Sequence, residues 1–217
     1  MKILALEFSS SRRSVAVVAD GVVRGYAEAG LASSTPALAL LDAALKHGDL
    51  ARSEVQRIAI GLGPGSYTGV RMALSVAQGF AMVRDVEGVG VSSMLAMASD
   101  APRLGVKGIF HVVVDAQRGE FYLGDYEAFA GHIVESGPVR IVEEEQVRRL
   151  FQAGEILLGP DLERVLPEVG TLYPDARIVG RLAGGVTTGS SVEALKPIYL
   201  RQTSFVKARQ SRGQLGS

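Results

Sequence analysis

The chain has 217 residues, 23 Lys and Arg against 23 Asp and Glu for a formal net charge of zero, and no cysteine. That length builds one large or two small domains with an ample core. The charge balance draws the molecule as a whole to neither nucleic acid nor an anionic membrane, and the lack of thiols excludes a disulfide framework, a thiolate nucleophile and a zinc–thiolate site.

The opening "MKILALEFSS" is a strand-length apolar run ending at Glu7, shorter than a signal peptide requires. No stretch approaches the roughly twenty apolar residues of a membrane span, and a soluble cytoplasmic protein is expected. "KILALEFS", "SVAVVAD" and "VVRGYAEA" read as three antiparallel strands, the last two joined at Asp20-Gly21, a strong hairpin signal. "STPALALLDAALKHG" reads as a helix capped by Thr35, with Pro36 at its first position and Gly48 closing it. "RIAIGLG" is a buried strand; a glycine loop and a helix to about Val83 follow, then a strand "VEGVGV" and a helix "SSMLAMASD".

The order then begins again. "GIFHVVVDA" and "EFYLGDYEA" flank "QRG" as a hairpin, "HIVESGPVRIV" supplies a third strand, and "EEEQVRRLFQAG" is a helix closed by Gly154. A strand "EILLG", a short helix near "DLERVL" and a strand "ARIVG" complete the series. Two tandem βββαβαβ halves, 1–103 and 104–207, are predicted, with a polar tail at 208–217 that is expected to be disordered. Composition supports a mixed α/β fold. The doubled order resembles the halves of the actin-like ATPases, which hold nucleotide in the cleft between them.

The stretch "AIGLGPGSYTGVR", Ala59 to Arg71, has the location of a phosphate site at a helix start. Its details differ from the known fingerprints. Val70 follows Gly69 where a P-loop has lysine, and Ser66 stands at the third glycine of a dinucleotide motif. Two readings remain: a tight turn of Gly63, Pro64, Gly65 and Gly69 in which Ser66 or Thr68 caps the helix, or direct phosphate binding. Arg71 would pair with a nearby acid in the first and with phosphate in the second.

The two helices of the first half are apolar on most faces. Either they are buried within the domain or they bury a second face on a partner. For the second case the interface set is Leu38, Leu41, Leu45, Tyr67, Val70, Ala73, Leu74, Ala77 and Phe80. A charge at Ala73 or Ala77 is then expected to block pairing and leave the fold intact. The three histidines, His47, His111 and His132, show no metal-ligand spacing. Ser66 lies in Gly-Ser-Tyr-Thr-Gly rather than Gly-x-Ser-x-Gly. No catalytic or metal residue is assigned. Glu7 and Asp115 end corresponding strands of the two halves, next to loops poor in glycine, and Glu7→Ala is expected to matter little to activity.

Five segments in order, "KILALEFSSSRRSVAVV", "IAIGLGPGSYTGVRMALSVAQGFA", "VSSMLAMA", "VVVDAQRGEFY" and "PIYLRQ", resemble the signatures of the TsaB (YeaZ) family across nearly the whole chain. The resemblance implies the actin-like (ribonuclease H-like) fold and a non-catalytic subunit. Such a subunit pairs through its first-half helices with a TsaD-like catalytic subunit, helps recruit a TsaE-like ATPase, and supports threonylcarbamoyl transfer to adenosine beside the anticodon of tRNA. It implies self-dimers when the chain is alone, and no tightly bound cofactor, with ATP or ADP placed at most at a shared boundary. Glu7 and Phe8 stand where the family begins its first motif with aspartate and threonine. The alternative is a stand-alone ATPase or small-molecule kinase of the same fold.

Overall fold

A computed structural model describes residues 1–30, 33–163, 165–167 and 169–200. The tail expected at 208–217 lies outside them.

The first sheet has strand order β3-β2-β1-β4-β5. Its strands are β1 (Lys2–Glu7), β2 (Arg13–Ala19), β3 (Val22–Ala29), β4 (Arg57–Gly61) and β5 (Glu87–Val91). The first three are antiparallel; β4 joins β1 and β5 joins β4 in parallel. The β2–β3 turn places Asp20 and Gly21 at φ of 51° and 78°, the left-handed pair a two-residue hairpin demands.

Alternation along β1 and β2 sorts their side chains between two faces. Leu4, Leu6, Val15 and Val17 turn to α1 (Ala37–His47) and α2 (Tyr67–Ala81). Ile3, Ala5, Ala16 and Val18 turn to the opposite face, where α5 (Ala176–Gly184) lies. That second face is built of small residues, and a Cβ at Gly180 would press on Val18 and Ala5. The helix therefore sits close on the sheet.

The second sheet repeats the plan as β11-β10-β6-β7-β8, with β9 also on β7. Its strands are β6 (Gly108–Gln117), β7 (Glu120–Phe129), β8 (His132–Glu135), β9 (Arg140–Glu143), β10 (Leu157–Gly159) and β11 (Gly170–Thr171). Helix α3 (Ser93–Asp100) sends Met94 and Met97 into the core of this sheet and Ala96 toward α5 and the first. Helix α4 (Glu144–Gln152) covers the outer face through Val147.

Four details differ from the sequence reading. The single third strand is two, β8 and β9, pairing successive stretches of β7. "ARIVG" is the start of helix α5: Ala176, Val179, Gly180 and Ala183 are buried at helical spacing, and Asp175 caps the helix by accepting Arg177 N–H (2.8 Å). The helix expected near "DLERVL" is one turn, closed by Leu166 N–H to the Leu162 carbonyl (2.8 Å). Pro36, not Thr35, occupies the cap of α1, while Thr35 bonds Ser33 through their hydroxyls (2.6 Å).

Helix α5 belongs to the 104–207 stretch yet packs on the sheet of 1–103. Its N-terminus is bound there by Ala176 N–H to Ser14 Oγ (3.0 Å). Burial alone would push the Asp175 carboxyl up, but the Arg177 hydrogen bonds and charge outweigh it and hold the group below its ordinary value of 3.8. Such a carboxylate contributes stability above its unfolded pKa, and that contribution is lost as pH falls through the folded one. The melting temperature is expected to fall on acidification below about pH 4, and less steeply in Asp175→Asn, as a thermal scan against pH would read.

Candidate functional site: the helix groove and the cleft

The glycine loop is a corner built by close backbone approach. Ser66 N–H donates to the Ser9 carbonyl (2.6 Å) and Ser66 Oγ accepts Gly69 N–H (3.2 Å), capping α2. A Cβ at Gly69 would overlap the Phe8 carbonyl, so only glycine lets α2 start against the end of β1. Gly63 joins the loop to α3 in both directions: its N–H donates to Ser93 Oγ (3.1 Å) and its carbonyl accepts Ser93 N–H (2.9 Å). The Gly63-Pro64 peptide is cis, and Gly65 lies against Ser9.

Glu7 is the centre of this corner and is fully buried. Its carboxylate accepts Ser9 N–H (2.7 Å) and Ser93 Oγ–H (2.8 Å), and a Cβ at Gly61 would overlap it. Burial pushes its pKa up against the hydrogen bonds of Ser9 and Ser93. The sequence reads the Glu7 loop as a hairpin turn held by local hydrogen bonds; the structure adds a long-range one, so that Glu7 ties β1 and the glycine loop to α3. Ser93 was missed, although the doubled serine of "VSSM" held the signal: Ser92 caps α3 (Leu95 N–H, 3.3 Å) and Ser93 turns inward.

Among the described residues no acid pairs with Arg71. Its Nε–H donates to Tyr199 Oη (3.0 Å), and its guanidinium stacks 4.0 Å over the Tyr67 ring. This cluster pins residues 195–200 along the first half, where Ile198 N–H reaches the Leu62 carbonyl (2.9 Å).

The interface set divides sharply. Leu41, Leu45, Val70, Ala73, Leu74, Ala77 and Phe80 are buried against the sheet, with Ala73 and Ala77 at 0% exposure. Leu38 and Tyr67 are 58% and 54% exposed. The outward faces of α1 and α2 enclose an apolar groove of about 560 Å³ instead, lined by Leu38, Met72, Val76, Gly79, Phe80 and Val83, with Arg52 and Arg84 among its rim residues. Met82 and Val83 stand 84% and 78% exposed where α2 ends. Of this lining the sequence analysis named only Leu38, Leu41 and Phe80. In a helix apolar all round, the stripe that faces the sheet and the one that faces away carry the same residue types.

Between the halves lies a second cavity of about 410 Å³, bounded by Ser9 to Ser11, Gly65 to Thr68, Asp115 and Asp161. Among the described residues lining it there is no lysine, arginine or histidine. Asp115 accepts Gln117 N–H (2.6 Å) and Gln117 Nε2–H (3.1 Å), holding its own hairpin. Among the described residues no group of three or more His, Asp or Glu is placed to hold a metal ion. His111 pairs with Asp125 (2.8 Å), but its other nitrogen faces Glu155 at 3.7 Å, not a hydroxyl, so it makes no serine-hydrolase triad. His47 closes α1 on the Tyr26 carbonyl (2.7 Å); His132 opens strand β8. Among the described residues, no helix is long and apolar enough to cross a membrane.

Two sheets of this shared strand order, meeting at a cleft, define an actin-like ATPase fold. The family model for TsaD, tRNA N6-adenosine threonylcarbamoyltransferase, matches residues 7–158. The tRNA threonylcarbamoyladenosine biosynthesis protein TsaB of Bacillus subtilis is 30% identical, with 93% of this chain and 94% of that protein covered. The Escherichia coli protein of the same name is 29% identical over 93% and 95%. The solved structure of YeaZ from Pseudomonas aeruginosa superposes with a TM-score of 0.76 at 27% identity, covering 92% of this chain and 99% of that one. The chain belongs to the TsaB (YeaZ) family.

Proposed function

We propose that this chain is a non-catalytic subunit of tRNA threonylcarbamoyladenosine biosynthesis that docks a TsaD-like catalytic subunit on the groove between α1 and α2. The observation that carries this reading is the groove itself. Two helices already anchored on the sheet by one apolar stripe enclose a mostly apolar groove on their outward side, and patches of this kind mark protein interfaces. The names of the relatives supply the pathway. The same face serves self-association when the chain is alone. A TsaE-like ATPase joins the assembly, and tRNA is met through the complex.

The cleft supports a subunit without catalysis of its own. Its acids and turn donors are committed to bonds within the chain, and no cation lines it among the described residues. A stand-alone kinase needs those groups for nucleotide phosphate and metal. In this reading the chain holds no nucleotide tightly by itself, and any ATP or ADP sits at a boundary shared with a partner.

Gly79 tests the groove. A Cβ there meets nothing within 4 Å, and replacing an exposed mid-helix glycine removes a penalty of about 0.5–1 kcal/mol. Gly79→Arg is expected to keep or raise the melting temperature while weakening pairing with the TsaD-like subunit by about 30-fold or more, the effect of disturbing a central interface position. Titration calorimetry of the two purified subunits reads the result; unchanged affinity would move the interface off this face.

A further inference from the structure

Charge is divided unevenly along the sequence. Residues 201–217, "RQTSFVKARQSRGQLGS", hold four of the 23 bases, Arg201, Lys207, Arg209 and Arg212, and none of the 23 acids. The 200 residues before them keep 19 bases against 23 acids, a net charge of −4. A formal balance of zero thus joins two regions of opposite sign. Basic segments free of acids are a common means of holding nucleic acid.

The chain enters this segment from a fixed point at the start of α2. Ile198 N–H donates to the Leu62 carbonyl (2.9 Å), and Arg71 Nε–H donates to Tyr199 Oη (3.0 Å). The Tyr67 and Tyr199 ring centroids are 5.6 Å apart, and the Arg71 guanidinium lies over the Tyr67 ring. Both rings are nevertheless about half exposed, and Arg71 is exposed beside them. None of the three lines the helix groove. Two accessible aromatic rings and a planar guanidinium suit flat ligands: unpaired bases stack on aromatic faces and on arginine planes. Phosphates supply the negative charge that the following cations require. An acidic protein surface would use the cations but not the rings.

We propose that this corner of the chain is an RNA contact, in which unpaired bases stack on the Tyr67–Arg71–Tyr199 cluster and Arg201, Lys207, Arg209 and Arg212 meet the phosphates. That the RNA is a tRNA rests on the function proposed above; contact by this chain itself goes beyond it.

The full chain is titrated against a labelled, unmodified tRNA anticodon stem–loop by fluorescence anisotropy at several salt concentrations, alone and with the TsaD-like subunit. Arg201→Gln, Lys207→Gln, Arg209→Gln and Arg212→Gln, made together, are expected to weaken binding about tenfold or more and to make the salt slope shallower by about 3, the counterions released by about four phosphates. Tyr67→Ala is expected to weaken binding about fivefold or more at an unchanged slope, the loss of one stacked base. The Gln variant should keep the parent's calorimetric affinity for the TsaD-like subunit. A parental salt slope in that variant, or parental RNA affinity in folded Tyr67→Ala, would overturn the proposal. So would a Gln variant that keeps RNA affinity and loses the protein partner, which would assign the cations to an acidic protein surface. Should Tyr67→Ala fail to fold, Tyr67→Leu, which keeps bulk at the same exposed position without an aromatic face, carries the same expectation and the same overturning result. A parent chain that pairs with its partner but, alone, binds no stem–loop would sink this proposal and spare the groove. A chain that binds RNA through this cluster but pairs with no partner would do the reverse.

Discussion

Ala77→Glu is expected to unfold the protein, not merely to uncouple it from a partner. Ala77 and Ala73 have no exposure and pack within the cluster of Leu6, Ile58 and Ile60. A carboxylate placed there loses its hydration and meets no cation or donor. The cost, about 4 kcal/mol or more, approaches the whole stability of an ordinary domain, about 5–15 kcal/mol. Circular dichroism should show lost cooperativity or insoluble expression. A folded Ala77→Glu with a melting temperature close to the parent's would contradict the packing of α2. The sequence reading expects the opposite, a fold left intact, and the pair of Ala77→Glu with Gly79→Arg separates the two stripes of one helix.

The second large effect is expected at Glu7. Glu7→Ala strands two buried donors, Ser9 N–H and Ser93 Oγ–H, each costing about 1–3 kcal/mol, and leaves a void beside Gly61. A loss of about 3–5 kcal/mol follows, enough to depress activity of any complex through abundance alone. The sequence reading expects this change to matter little to activity; the two buried hydrogen bonds add an expected loss of folding stability.

Glu7→Gln distinguishes the two. Because burial raises the folded pKa of Glu7 above its ordinary 4.5, its contribution is fully present below the unfolded pKa and is lost as pH rises through the folded one. The parent should lose stability over that rising interval, and Glu7→Gln should lose less. Urea titrations across pH measure both slopes; parallel curves would show that Glu7 is not the titrating group.

Much of the architecture was legible because local signals agreed with the global plan. Asp20-Gly21 announced its hairpin, and Ser66 and Ser92 announced the starts of α2 and α3. The doubled order foretold two sheets of one topology. What failed had physical causes. Five residues of "ARIVG" are too few to separate period two from period 3.6, whereas 176–184 carry the helical spacing. The groove was invisible because both stripes of α2 are apolar, and only contact with Leu6 and Ile60 fixes which one turns inward. The Asp161–Ser11 pair across the cleft is not legible in the sequence because "DLERVL" reads as a short helix, and Ser11 lies 150 positions earlier.

The crossing of α5 bears on how the chain is made. While the ribosome is still short of Ala183, the rear of the first sheet has no lid, and Ile3, Ala5, Ala16 and Val18 face water or whatever grease is nearby. The nascent amino-terminal half therefore cannot mature on its own schedule. It must wait, aggregation-prone, for a helix translated long after its own last strand, and a gene cut between the halves would yield two pieces of which the first is never finished.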